Sequence, residues 1–335
     1  VLSLVVTLSL AAAPQVALLS SSGSEAELRF QPLGASTLAA PVVRFGHVAG
    51  SSVSGALLPG TRVVVATATV ANARDLSFAD ALLRLEAGQP ARVLVDRVVH
   101  GSRPLVTAEG RVFVARGLPG PWPEDPREMR VDALSIVEVA PDTGRTRTVY
   151  EARGYATFLA GALGRELLVY EVRPDGARLL AVHADTLAVR VLLPVLAPLA
   201  RDFVVDGTRR RLLFTQGEPG APTWHVAAVD LATGKLSRLA EGAEVTLLPT
   251  VLPGGVVATS PGAGEGLVSL EGGRVLAAQG PGFERVRLVH DGVLLGLHER
   301  PSEFPTPFAV RRSTGEALRL LAPPDARLDV AGVLP

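Results

Sequence analysis

The stretch Asp202–Ala240 reads DFVVDGTRRRLLFTQGEPGAPTWHVAAVDLATGKLSRLA. Asp202-Phe203-Val204-Val205 is a short apolar run, and Asp206-Gly207 is a turn signal. Arg211-Leu212-Leu213-Phe214-Thr215 is a second run. Gly217 to Thr223 is a Gly/Pro loop, and Trp224 to Val229 is a third run. Asp230-Leu231-Ala232-Thr233-Gly234 is a second turn, followed by Lys235 to Ala240. Glycine admits positive φ in such turns, and Asp or Thr side chains bond their own backbone. Four strands joined this way over roughly 45 residues make one blade of a β-propeller.

The phrase recurs on both sides. One copy covers 51–98, with turns at Pro59-Gly60 and Glu86-Ala87-Gly88. Another covers 103–152, turning at Glu109-Gly110 and Asp142-Thr143-Gly144. The next spans 155–194, with Leu163-Gly164 and Asp185-Thr186. After the unit at 200–241 come 244–279, with Pro253-Gly254-Gly255 and Glu271-Gly272-Gly273, and 284–323, with Asp291-Gly292 and Ser313-Thr314-Gly315. No sustained helical period interrupts these short apolar runs. The expected fold is therefore all-β, a propeller of four-stranded antiparallel blades.

Both ends hold remainders. Val16 to Ser20, Glu27 to Pro32 and Val42 to Val48 read as the second, third and fourth strands of a further blade. Ala326 to Leu334 reads as its first strand. Residues 14–335 are then one domain, closed by N-terminal strands at about 15–48 with the C-terminal strand at about 326–334, which removes exposed sheet edges. Seven blades result, with six or eight as the alternatives. Val1 to Ala13, VLSLVVTLSLAAA, reads either as the apolar region of a secretory signal or as a first strand.

The Asp206-Gly207 turn before a Leu-Leu-Phe strand, followed by Asp230-Leu231-Ala232-Thr233-Gly234, resembles the TolB-type, WD-repeat-like propeller phrase. Pro174-Asp175-Gly176 and Pro141-Asp142-Thr143-Gly144 are similar fragments elsewhere in their blades. The resemblance departs from that pattern in two ways. The Ser-Pro-Asp-Gly signature is only Val-Val-Asp-Gly here, and no Trp-Asp dipeptide closes a blade. Such motifs imply a fold and carry no activity with them.

Composition narrows the function. The 335 residues hold 33 basic and 33 acidic side chains, a formal net charge of zero, which is not the footprint of a nucleic-acid binder. No apolar run is long enough to span a bilayer. There is no cysteine, hence no disulfide framework and no thiolate metal site. Lysine occurs once and arginine supplies the other basic residues, the bias of a GC-rich genome, so isolated arginines carry little weight. There is no Gly-x-Ser-x-Gly elbow and no His-Glu-x-x-His. Gly262-Ala263-Gly264-Glu265-Gly266 lacks the strand–turn–helix setting of a nucleotide fingerprint. The six histidines, at 47, 100, 183, 225, 290 and 298, have no close pair at ligand spacing.

Loops between the second and third strands are expected to be the long and variable ones, gathered on one face. Variable loops on a rigid scaffold are where binding concentrates. The candidate binding residues on that face are Trp122, Glu124, Asp125, Arg127, Trp224, Glu299 and Phe304. Glu124, Asp125 and Glu128 form a tight acidic group, but Arg127 and Arg130 beside them favour a solvated loop over calcium. No catalytic, cofactor or metal residues are assigned. The expectation is a non-catalytic, exported, monomeric binding scaffold, at the periplasm or cell surface, for a protein, peptide or glycan, with no nucleic acid and no membrane span. The alternative is the propeller portion of a larger enzyme, such as a prolyl-oligopeptidase-like serine peptidase with its catalytic domain beyond Pro335.

Overall fold

The computed structural model describes residues 13–70, 80–119, 131–153, 156–197, 199–217, 224–239, 245–253, 255–259, 267–270, 283–300 and 302–335. Every regular element among the described residues is a β-strand. β1 (Gln15–Ser22), β2 (Glu25–Pro32) and β3 (Val43–Gly46) come first. A first unit follows, with β4 (Val53–Leu57), β5 (Val63–Thr69), β6 (Asp80–Glu86) and β7 (Arg92–Val98). The second holds β8 (Leu105–Val106), β9 (Val112–Pro119), β10 (Val131–Val139) and β11 (Thr146–Arg153). The third holds β12 (Ala156–Leu163), β13 (Glu166–Arg173), β14 (Gly176–His183) and β15 (Val189–Leu196). The fourth holds β16 (Ala200–Asp206), β17 (Arg211–Gly217), β18 (Trp224–Asp230) and β19 (Leu236–Arg238). The fifth holds β20 (Leu247–Leu252), β21 (Gly255–Thr259) and β22 (Leu267–Ser269). The sixth holds β23 (Phe283–His290), β24 (Val293–Glu299), β25 (Thr306–Arg311) and β26 (Glu316–Leu318). β27 (Arg327–Leu334) is last.

Strands pair antiparallel with their sequence neighbours in each unit. The first and second units are joined in one sheet by a single bridge, Val98 to Arg116. β27 pairs with β1, from Gln15↔Leu334 to Ser21↔Arg327, giving a sheet ordered β27-β1-β2-β3. The described strands thus fall into seven sets. Seven buried apolar clusters link each set to the next. Leu19 and Leu28 meet Val64 and Leu83. Val65 and Leu82 meet Val112 and Val137. Phe113 and Ile136 meet Leu167 and Val169. Leu179 meets Phe214. Leu213 meets Val256, Leu252 meets Leu294, and Leu295 meets Val330.

The sequence pattern follows each strand's radial position. Second strands are covered on both faces and read as near-continuous apolar runs, as in the fully buried VVVATAT of β5. Outer strands have one open face and mix exposed with buried positions, as in the RVLVDRV of β7, where Val95 and Val98 are the buried ones. Hydrogen bonds then tie second strands to the following unit. Thr67 Oγ1 donates to Ser102 O at 2.6 Å, and Thr215 Oγ1 accepts from Leu248 N at 3.0 Å. Thr259 Oγ1 donates to Glu284 O, and the Tyr170 hydroxyl donates to Ala197 O at 3.2 Å.

The turns between third and fourth strands explain the recurrent Thr-Gly, which closes Asp230-Leu231-Ala232-Thr233-Gly234 and Asp142-Thr143-Gly144. Asp230 Oδ1 accepts from Ala232 N, Thr233 N and Thr233 Oγ1, which closes the turn on itself. Gly234 sits at φ 71°, and a Cβ there would lie 2.3 Å from Leu192 O of the preceding unit. Gly144 stands in the same relation to Leu94 O, at 2.6 Å. Arginines of the preceding unit grip these turns from the other side. Arg92 donates to Asp142 O at 2.5 Å, Arg147 to Ala184 O at 2.6 Å and Arg190 to Leu231 O at 3.4 Å.

Three expectations need correction. The Asp206-Gly207 turn is four residues, Gly207 to Arg210, and its left-handed residue is Arg210 at φ 50°, not the glycine. Buried Asp206 enforces this by accepting from Arg209 N and from Arg211 Nε. The connection from β4 to β5 spans five residues, 58–62, longer than the expected Pro59-Gly60 turn. Loops between second and third strands are not long in every unit, since β13–β14 and β1–β2 close through the two-residue turns Pro174-Asp175 and Gly23-Ser24. Residues 1–12 lie outside the described residues.

Candidate functional site

Inner strands begin, and second strands end, on the same side of the ring, so their terminal side chains surround the mouth of the axis. Five inner strands carry one extra residue relative to their partner, namely β12, β16, β20, β23 and β27. A bulge bends a strand and re-aims a side chain. In β16 the extra residue lies between Arg201 and Val204, with Asp202 at φ 56°. In β23 it lies between Val286 and Leu288, at Arg287.

These irregularities bring charges together. Arg201 Nε lies 3.5 Å from Asp202 Oδ2, and Arg285 Nη1 lies 4.0 Å from Asp202 Oδ1. Arg285 Nε also meets Glu299 Oε1 at 3.0 Å. The Asp202–Arg285 pair connects the fourth unit to the sixth and so crosses over the fifth at the mouth. A second crossing centres on buried Asp329 of β27. Its Oδ1 lies 3.1 Å from Arg103 Nη1 and 3.3 Å from Arg287 Nε, and its Oδ2 accepts from Gly55 N at 2.9 Å. Arg103 donates in addition to Val330 O at 2.6 Å. Burial pushes the Arg287 guanidinium down to about 10 against the pull of Asp329. It stays charged at neutral pH.

Beside the crossings lies an apolar hollow of about 510 Å³. Phe158, Leu159, Tyr170, Val172, Ala200 and Phe203 line it, with Arg103, Arg201 and Asp202 among its polar residues. The rings of Phe158, Tyr170, Phe203 and Phe214 form a continuous stack, with successive centroids 6.2, 5.2 and 5.6 Å apart. Burial raises the Tyr170 hydroxyl, so it remains protonated and can donate to the third-to-fourth-unit linker.

Two histidine–carboxylate pairs stand near this face. Buried Asp80 accepts from Thr69 Oγ1 at 2.6 Å and from Gly101 N at 2.9 Å, with His100 Nδ1 at 3.0 Å. The threonine hydroxyl is spent on the carboxylate and not aligned on the imidazole, so the trio fastens a loop and does not activate a nucleophile. His298 Nε2 accepts from Arg300 Nε at 3.2 Å, which leaves the Nδ1 proton facing Glu284 Oε1 at 3.3 Å. Among the described residues no three His, Asp or Glu side chains converge as a metal site. No helix among them is long and apolar enough to cross a membrane.

No protein-family model matches the sequence, and no curated protein does. Solved structures do. TolB from Acinetobacter baumannii superposes on 95% of this chain and 66% of its own, with TM-score 0.52 at 9% identity. A prolyl endopeptidase covers 94% of this chain over 50% of its own, with TM-score 0.61 at 16% identity. A puromycin hydrolase covers 86% over 50% of its own, with TM-score 0.53 at 14% identity. The fold is a TolB-like β-propeller.

The TolB-like propeller spans under two-thirds of the TolB chain and half of the other two. Of the residues expected at its mouth, Trp224 opens β18 opposite Gly217, and its ring lies flat on that glycine, where a Cβ would approach within 3.1 Å. The Arg201 guanidinium covers the other side of the ring at 4.4 Å. Glu299 ends β24 and is held by Arg285. Trp224 and Glu299 are thus linked through Arg201, Asp202 and Arg285. Phe304 is half exposed in the turn before β25 and joins neither crossing. Trp122, Glu124, Asp125 and Arg127 lie outside the described residues. The inner-strand groups Arg103, Arg201, Asp202, Arg285, Arg287 and Asp329 were missed by sequence reasoning, as were the rings of the hollow. Discounting arginine as codon bias hid four of them.

Proposed function

We propose that the seven sets of strands form a closed seven-bladed ring whose long-loop face is a non-catalytic binding surface for a protein, most simply an extended peptide segment. The observation that carries this reading is the combination at the mouth of a preformed apolar hollow with guanidiniums fixed by ion pairs between units. Asp202, Glu299 and Asp329 each pair with arginine, an arrangement that holds the geometry of the mouth. Preorganised groups lose little entropy when a ligand docks. The apolar stretch Val1–Ala13 supports an exported, extracytoplasmic setting.

The alternative reading, a propeller portion of a larger enzyme, draws on the prolyl endopeptidase match, in which 94% of this chain covers half of that one. Sequencing the reading frame past Pro335 separates the two, since a serine elbow there favours the enzyme. The binding reading is tested by panning a peptide-display library on the full chain. Enriched peptides should lose at least tenfold in affinity for Arg201→Glu while keeping it for Glu316→Gln on the outer strand β26. Equal loss, or no loss, in both variants would remove the mouth as the binding face.

A further inference from the structure

We infer that the hollow between the second, third and fourth units is a binding site for an apolar, preferably aromatic, group that carries one free carboxylate. This assignment rests on the mouth being a binding face and goes beyond it by naming the chemistry recognised.

Shape and lining come first. About 510 Å³ falls within the range of small-ligand sites. Phe158 is 38% exposed, and its ring meets Tyr170 only at a tilt of 31° with centroids 6.2 Å apart, so aromatic surface is left open at the site. An incoming ring or branched aliphatic group would extend the existing stack and displace water from it.

The polar side selects the charge. The Arg201 guanidinium is fixed on one face by Trp224 and at Nε by Asp202. More than half of the side chain is exposed, and its terminal nitrogens make no hydrogen bond to a described residue. That leaves a forked donor pair for a carboxylate, the arrangement arginine recognises best. The surrounding charge agrees. Of the charged residues that line the hollow, Arg103 and Arg201 are cations and Asp202 is the anion, so one positive charge is left over. A neutral ligand leaves it unmatched, a cation adds to it, and a monoanion balances it. Asp202 itself is shared between Arg201 and Arg285 and is not an open anion.

The same chemistry has two sources, the C-terminal residue of a peptide or a free aryl or alkyl carboxylic acid. The test titrates the full chain with N-acetyl-L-phenylalanine, with its amide, and with a Gly-Gly-Phe peptide in free-acid and amidated forms. Calorimetry and saturation-transfer NMR supply the readouts. The acid should bind about tenfold tighter than the amide, the scale of one charge-assisted pair. Arg201→Gln should bring the two within about twofold, because only the fork is lost. Phe158→Ser, at a part-exposed site, should weaken acid and amide alike. Tighter binding of the peptide acid than of the single amino acid identifies a peptide C-terminus, and the reverse identifies a small acid. An amide that binds as well as the acid, or a preference untouched by Arg201→Gln, overturns the assignment. If display peptides dock at the mouth while neither N-acetyl-L-phenylalanine nor the Gly-Gly-Phe acid binds at millimolar concentration, this inference fails and the binding-face reading stands. If the acid binds and no peptide is enriched, the site stands and the protein-ligand reading falls.

Discussion

Replacing Arg287 by Met should make the protein more stable, although it removes one arm of the ion-pair crossing at Asp329. The guanidinium is held at about 10, well below the ordinary arginine range, first because of burial, with Arg103 and Arg285 adding to it and Asp329 opposing. At about 1.4 kcal/mol per pH unit this is about 3 kcal/mol against the charged form in the fold. About a quarter of the side chain still reaches solvent, so about 1–2 kcal/mol is the expected gain. Both folded and unfolded states carry the proton below about 10, and the penalty is present in full there. It is relieved only as pH rises above about 10, where the folded state releases its proton first. Methionine fills similar volume without the charge. Asp329 keeps Arg103 and Gly55 N as partners. The converse change, Asp329→Asn, leaves Arg103 and Arg287 facing each other and should lose about 3–5 kcal/mol. In the Arg287→Met background that loss should shrink to about 1–2 kcal/mol. Urea midpoints at constant slope, with thermal midpoints, measure all four proteins. A loss of more than about 1 kcal/mol on Arg287→Met would refute the reasoning, because the crossing would then be worth more than its burial.

Gly234→Ala should lose about 2–3 kcal/mol, since it combines a left-handed backbone with a Cβ 2.3 Å from Leu192 O. Gly292→Asn, at φ 73° with nothing within 4 Å of the new Cβ, should lose no more than about 1 kcal/mol, and comparable thermal midpoints for the two variants would count against the inter-unit packing of the turn. Arg111 and then Arg147 hold the Glu138 carboxyl below its ordinary value of 4.5. Its contribution is therefore complete above that value and is lost as pH falls through the lowered one, so Glu138→Gln should flatten this limb of an acid-unfolding curve; an unchanged limb would argue that the pair is inert. Deleting 326–335 strips β27 from β1 and exposes Leu328 and Val330, an expected loss of about 3–6 kcal/mol, while an unchanged thermal midpoint would mean that β1–β3 hold without it.

Much of the ring was legible because its signals are local. Asp230-Leu231-Ala232-Thr233-Gly234 and Asp142-Thr143-Gly144 encode their turns in side chains that bond neighbouring backbone. The continuous apolar run in β5 and the polar-interrupted run in β7 encode burial on two faces and on one. The mouth was less legible because its chemistry depends on strand irregularity. Nothing in Arg201-Asp202-Phe203 announces an extra residue in register, yet that bulge decides where Asp202 and Phe203 lie. Asp329 offered no local motif either. Its three partners come from β4, the segment before β8, and β23, elements remote in sequence and joined only when the ring closes. A useful signal was present and was set aside. Arg285 and Arg287 alternate on one inner strand, and paired cations at that spacing ask for an anion between strands.

The pairing of β27 with β1 fixes an order of events during synthesis. β1 leaves the ribosome well before β27, and its inner edge has no permanent partner until the six intervening units have followed, since Val16 waits for Val333. Contacts of such long sequence separation close slowly. In the interval the apolar side chains of β1 and its open backbone edge are exposed to any strand of another chain. Sluggish maturation and a window of vulnerability to aggregation are thus consequences of how the ring is sealed. Refolding from urea should show a late phase that reports on β1, even when the middle units have already regained their protection.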